Sequence, residues 1–187
     1  MLHMEQKDYS MEIILQLLKE NNHARELAKK LNINHMMIVR KLKKLQNKNV
    51  VDYTQKGKNK VYFLKKTIEA KEHIFMAEKY KLIKILNIYP ELRSIINKLQ
   101  NNKKLKLIVL FGSYAKQLAT KNSDIDIFAE TTDKSLKKDL NLLDSKLNTK
   151  IGKYNTKDLL FKEIDKNHVI IKGAEFYYEK NKFFEKN

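Results

Sequence analysis

The chain has 187 residues, 42% of them hydrophobic, enough for one ordinary domain or two small ones with real cores. Its 39 Lys and Arg against 22 Asp and Glu give a formal net charge of +17, which favours a polyanionic partner such as nucleic acid or nucleotide phosphates over the plainer alternative of a solvated lysine-rich surface. The absence of cysteine excludes disulfides and thiolate metal sites, and His3, His23, His35, His73 and His168 are not paired at ligand spacing, so any metal must be held by oxygen ligands. No run of about 18 apolar residues reads as a membrane span and the first residues do not read as a secretory leader, so a cytoplasmic protein with no membrane partner is expected.

Residues 1–66 hold 15 of the basic and 6 of the acidic side chains. Ser10 to Glu20 places Met11, Ile14, Leu15 and Leu18 at helical spacing, with Ser10 as the expected N-cap. A second helix is expected from about Ala24 to Lys30, with Leu27, Ala28 and Leu31 inward. The third begins after Asn34, a good capping residue, and turns Met37 or Ile38, Leu42 and Leu45 to the core. VVDYT and KVYFL then read as two strands joined by QKGKNK, with Gly57 in the turn. Helix, helix, turn, helix, hairpin is the order of a winged helix-turn-helix, and ARELAKKLNINHMMIVRKLKKLQNKNVV resembles the central part of the winged-helix families of prokaryotic regulators.

Residues 67–102 read as a connector of two helices broken near Tyr89-Pro90, because proline disfavours a helical conformation in the residue before it. Ile68, Phe75, Leu82 and Leu86 would suit either a coiled-coil seam of a homodimer or, as the simpler expectation, packing against a neighbouring domain. From Lys103 the pattern alternates. Strand LKLIVLF is followed by turn GS, a helix from about Tyr114, strand DIDIFAE, a helix over Ser135–Lys146, a strand near Leu147–Tyr154, a helix over Thr156–Asp165, then HVIIKG and EFYYE as further strands. Phe176, Tyr177, Tyr178, Phe183 and Phe184 are read as strand and packing residues, not as a stacking platform for bases.

The segment LFGSYAKQLATKNSDIDIF carries the chemistry. A strand that ends in Gly112-Ser113 and enters a helix exposes backbone N–H groups at the helix's positive end, and Gly112 would let a phosphate approach closely. Asp124 and Asp126 alternate with Ile125 and Ile127, so the two carboxylates share one strand face and the isoleucines the other. Two like charges so placed repel unless neutralised, and an oxygen-preferring divalent cation, Mg2+ or Mn2+, is the usual resolution.

Ten residues separate Ser113 from Asp124. Gly-Ser, this spacer, then Asp-hydrophobic-Asp-hydrophobic resembles the signature of the DNA polymerase beta nucleotidyltransferase superfamily. The resemblance implies a nucleotidyltransferase α/β domain with a mixed sheet over 103–187. In it Gly112 and Ser113, with Lys116, would hold an NTP, and Asp124 and Asp126 would bind magnesium as catalytic carboxylates. Tyr114-Ala115-Lys116-Gln117 departs from the Gly-Ser-hydrophobic-Ala-Arg-Gly common in small members, and lysine lacks arginine's bidentate fork. The superfamily usually adds a third carboxylate from a later strand. The best placement of that strand, KLNTKIGKY, offers Asn148 instead.

In the N-terminal part, Asn34, His35 and Met36 open the third helix, where a helix-turn-helix meets base edges. Arg40, Lys41 and Lys44 with Lys56, Lys58 and Lys60 of the wing would neutralise DNA phosphates. The whole is expected to be a two-domain α+β and α/β protein: a winged helix-turn-helix over 1–66, the helical connector, and the transferase domain. Its expected function is magnesium-dependent transfer of a nucleotidyl group from an NTP to a hydroxyl of a nucleic acid or protein acceptor. The alternative is a DNA-binding regulator whose transferase-like domain senses nucleotide or is inactive.

Overall fold

The computed structural model describes residues 7–155 and 158–185. His3 and Thr156, the expected start of a helix, lie outside the described residues. The chain divides into two compact units, residues 1–77 with 184–187, and residues 78–183.

In the first unit α1 (Tyr9–Lys19) is capped by Asp8, whose carboxylate accepts from the Ser10 N–H at 2.9 Å, so the cap lies two residues before the serine expected there. Its buried face is Met11, Ile13, Ile14 and Leu17, with Leu15 and Leu18 half-buried, a rotation of the expected stripe toward Ile13. A two-residue strand β1 (Asn22–His23) precedes α2 (Ala24–Leu31), which buries Leu27 and Ala28. Then α3 (His35–Asn47) starts on Asn34, whose side chain accepts from Met36 N–H at 2.7 Å. Ile38, not Met37, takes the core position with Leu42 and Leu45. The wing is the antiparallel pair β2 (Val51–Lys56) and β3 (Asn59–Leu64), turned at Gly57 with φ +58, and β1 adds to β3 to give the order β1-β3-β2. These elements make a winged helix-turn-helix.

Residues 67–102 form α4 (Ile68–Ile88) and α5 (Leu92–Asn101), interrupted at Tyr89-Pro90 as expected. The division between the units falls inside α4, after Ala77. Along the expected apolar stripe Phe75 and Leu82 are buried, whereas Ile68 is 67% exposed.

The second unit is built on a mixed sheet of order β6-β5-β4-β7. Its strands are β4 (Ile108–Leu110), β5 (Ile125–Glu130), β6 (Leu147–Gly152) and β7 (Val169–Lys172). Pairs β4–β5 and β4–β7 are antiparallel, and β5–β6 is parallel, joined through α7 (Lys134–Asn141). One sheet face, with Ile108, Leu110, Ile125, Ile127 and Leu147, packs on Leu92, Ile95 and Leu99 of α5 and on Leu136 and Leu140 of α7. On the opposite face Phe128 meets Phe161 of α8 (Leu159–Lys166) edge to face at 4.7 Å.

Two further expectations change in this unit. The helix after the GS turn, α6 (Gly112–Ala115), is one turn long and starts at the glycine itself. EFYYE is not a strand: α9 (Ala174–Lys180) follows Gly173, whose φ of +82 turns the chain out of β7. Ala174, Tyr177 and Tyr178 are all buried at i, i+3 and i+4, so tertiary burial overrides the β-propensity of the aromatics. Behind this helix lies a buried polar network. Tyr178 donates to Glu78 at 2.8 Å, Lys81 pairs with Glu78 at 2.9 Å, and Tyr177 and Tyr154 both donate to Asp165. Burial pushes the Glu78 carboxyl up, but Lys81 and His168 outweigh it and hold the group down at about 2.

Candidate nucleotide site

The sheet brings the two halves of the motif together. Leu110 at the end of β4 pairs with Ile127 of β5, and Phe111 N–H donates to the carbonyl of Asp126 at 2.9 Å, so the Gly112-Ser113 turn begins beside the second carboxylate. Gly112 has φ +69, a left-handed conformation that L side chains rarely adopt. A Cβ built on it would lie 2.3 Å from Asp126 Oδ2 and 3.1 Å from its Cγ. The missing side chain therefore makes room for the Asp126 carboxylate. The close approach expected of a phosphate at that point is made by the protein's own acid, and a ligand must meet the turn from its Ser113 and Tyr114 side.

The expected alternation on β5 holds: Ile125 and Ile127 are buried, Asp126 is half-buried and Asp124, just before the strand, is exposed. Ser123 folds the preceding loop by accepting from Thr120 N–H at 2.9 Å. Ser113 is half-buried at the second position of α6, and Tyr114 behind it is buried against Tyr89, ring centroids 4.9 Å apart. Amides in the first turn of a helix have no intrahelical partner, so those at this turn are available to an anion, although a single turn carries little of a helix macrodipole. Lys116 is at the exposed end of the turn, where its ammonium meets Glu163 of α8 at 2.8 Å and holds the Glu163 carboxyl below its ordinary range.

The parallel register aligns Asp126 with Asn148, the residue that the strand placement offered in place of a third acid. Its amide donates to Asp126 Oδ1 at 2.8 Å. Among the described residues no group of three or more His, Cys, Asp and Glu is placed to hold a metal ion. The neighbouring carboxylates of Asp124 and Asp126 are nonetheless oxygen donors of the kind magnesium takes with water and phosphate. What sequence reasoning missed is the contact of Asp126 with Gly112 and the direction of the Asn148 amide, neither of which has a signal in residue spacing.

In the winged helix, Asn34, His35, Met36, Arg40 and Lys44 are exposed along α3, and Lys41 is half-buried. Lys56, Lys58 and Lys60 are exposed on the wing, with the Lys60 ammonium 4.0 Å from the Tyr53 ring centroid. The structure thus keeps all three residues that open α3 accessible. Among the described residues, no helix is long and apolar enough to cross a membrane.

The family model for the polymerase beta nucleotidyltransferase domain matches residues 93–182. No curated protein gives a significant match. Solved structures similar to this chain include a repressor and forms of ZitR. The adhesin competence repressor AdcR of Streptococcus pyogenes is 20% identical over 48% of this chain and 67% of its own, with a TM-score of 0.39. A ZitR variant of Lactococcus lactis is 21% identical over 49% and 63%, with a TM-score of 0.38. Wild-type ZitR in complex with DNA is 22% identical over 52% and 72%, with a TM-score of 0.32. The chain thus spans less than two thirds of the second of these. Residues 93–182 thus match the polymerase beta nucleotidyltransferase family model and form a mixed sheet with Gly112, Ser113, Asp124 and Asp126 at the junction of β4 and β5, and a winged helix-turn-helix precedes them.

Proposed function

We propose that this protein binds a magnesium–nucleoside triphosphate at the Gly112-Ser113 turn and the Asp124–Asp126 pair and transfers the nucleotidyl group to a hydroxyl of a nucleic acid or protein acceptor, with the winged helix bringing it to DNA. The observation that carries this reading is the packing of Asp126 Oδ2 against Gly112, which sets the Gly112-Ser113 turn beside the carboxylate pair. Ser113 and the turn amides donate to phosphate oxygens, and Lys116, released from Glu163, adds charge at the same end. Asp124 and Asp126 supply the oxygen ligands, and Phe111 N–H on the Asp126 carbonyl fixes where they stand. When bound, magnesium supplies neutralisation of charge on the phosphates. Exposed Arg40, Lys44 and the wing lysines suit the DNA backbone, and Asn34, His35 and Met36 suit the major groove.

A second reading, a DNA-binding regulator that senses nucleotide, is favoured by one observation: Asn148 stands where an acid would face Asp126. Labelling with α-32P-labelled NTPs in magnesium or manganese separates the two, using DNA, RNA and extract protein as acceptors. Label transferred by wild type and lost in Asp124→Ala/Asp126→Ala supports the transferase. Nucleotide binding and a salt-dependent duplex shift without any transfer support the regulator.

A further inference from the structure

We infer that Asn148 restricts this site to one divalent cation per bound nucleotide, acting as a positioning residue on Asp126. The inference rests on the nucleotide-binding reading above and concerns which ions the chain can hold there.

The carboxylate of Asp126 has its two oxygens assigned to different directions. Oδ2 lies against Gly112, at the start of the turn. Oδ1 accepts the Asn148 amide at 2.8 Å from the parallel neighbour strand. The identity of the Asn148 atom facing Asp126 is fixed by chemistry: its nitrogen donates to a carboxylate, whereas its oxygen would meet a second acceptor with no hydrogen between them. Were two ions to sit about 3.5–4 Å apart with Asp126 between them, each would need one of its oxygens free. Here the oxygen facing β6 is taken, and the group on that side presents an N–H, the positive end of a dipole, where a second cation would need an anion. Turning the amide to offer its oxygen would break a charge-assisted hydrogen bond and leave a neutral ligand.

Nothing else compensates. Asp124 and Asp126 bring two negative charges, and no third acid joins them in a ligand group among the described residues. The nearest residues on β6 are no help: Thr149 is buried on the opposite face and Lys150 is basic. The same hydrogen bond has a positive role. It holds the half-buried Asp126 in the rotamer that turns Oδ2 toward Gly112, so the ion held with the phosphates finds its ligand already oriented.

The test counts Mn2+ ions by electron paramagnetic resonance in the full-length protein saturated with a non-hydrolysable ATP analogue, with the free-analogue background subtracted. Wild type is expected to hold one ion per bound nucleotide and Asn148→Asp two, a twofold rise in stoichiometry at equal nucleotide occupancy. Asn148→Ala is expected to stay at one, with weaker Mn2+ affinity because Asp126 loses its orienting donor. Circular dichroism verifies folding of each variant. Two ions in wild type, or one in a folded, nucleotide-loaded Asn148→Asp, would overturn the inference while leaving the nucleotide-binding reading intact. Absence of nucleotide from every variant would overturn that reading and the inference with it.

Discussion

Replacing Gly112 by alanine tests the link between turn and carboxylate in a single atom. The new Cβ is forced into a left-handed conformation at φ +69, which costs an L residue about 1–2 kcal/mol. It also lands 2.3 Å from Asp126 Oδ2, so the carboxylate must rotate away and give up its bond from Asn148. Hydrogen bonds to charged groups contribute about 1.5–3 kcal/mol, of which a half-buried pair keeps the lower part, so the total loss is about 3 kcal/mol. Urea unfolding of Gly112→Ala against wild type gives that total. A double-mutant cycle with Asp126→Ala isolates the collision. With the carboxylate gone only the backbone term remains, and the penalty of Gly112→Ala falls by about 1.5 kcal/mol. Equal penalties in the two backgrounds would show that turn and carboxylate are independent, and a stability loss below about 0.5 kcal/mol, the size of an ordinary surface substitution, would refute the reasoning altogether.

Other perturbations follow from the same structure. Phe128, 1% exposed between the sheet and Phe161, should lose about 3–5 kcal/mol on truncation to alanine, measured by denaturant titration. Glu78 ordinarily titrates near 4.5 but is held at about 2 in the folded chain, so its contribution to stability is present above pH 4.5 and is lost as pH falls from 4.5 toward 2. Unfolding midpoints across that range should show the loss in wild type and a flatter profile in Glu78→Gln. Asn34→Ala removes the cap of α3 and should cost about 1 kcal/mol in the same measurement. Alanine at Lys56, Lys58 and Lys60 together should reduce the slope of log K against log salt for duplex binding by up to about 3.

The parts legible in the sequence were those written in side-chain spacing. The Asn34 cap, the break at Tyr89-Pro90, and the alternation of Asp124 and Asp126 with buried isoleucines each follow from one local rule, and all stand in the structure. The placement of β6 in KLNTKIGKY, with Asn148 offered in place of an acid, stands too, but its register against β5 came only with the structure, which aligns Asn148 with Asp126. Where tertiary burial decides, local rules failed. EFYYE has strand composition but helical spacing of the residues that matter, and β1 is too short to leave a periodic signal. Asp8 rather than Ser10 caps α1 because either residue type can accept the first amides, and only the fold says which turn is first. The contact of Gly112 with Asp126 was beyond reach for another reason: it joins residues fourteen apart, across the sheet, through the absence of an atom.

Gly112, Ser113, Asp124 and Asp126, read as one nucleotide and cation site, should bind nucleotide only together with the metal. Isothermal titration of ATP into the full-length protein, with magnesium and with excess chelator, tests it most directly. Binding in magnesium should weaken at least tenfold on chelation, and Asp124→Ala/Asp126→Ala in magnesium should match the chelated wild type. Binding indifferent both to magnesium and to the two aspartates, or no binding of any nucleoside triphosphate, would contradict it.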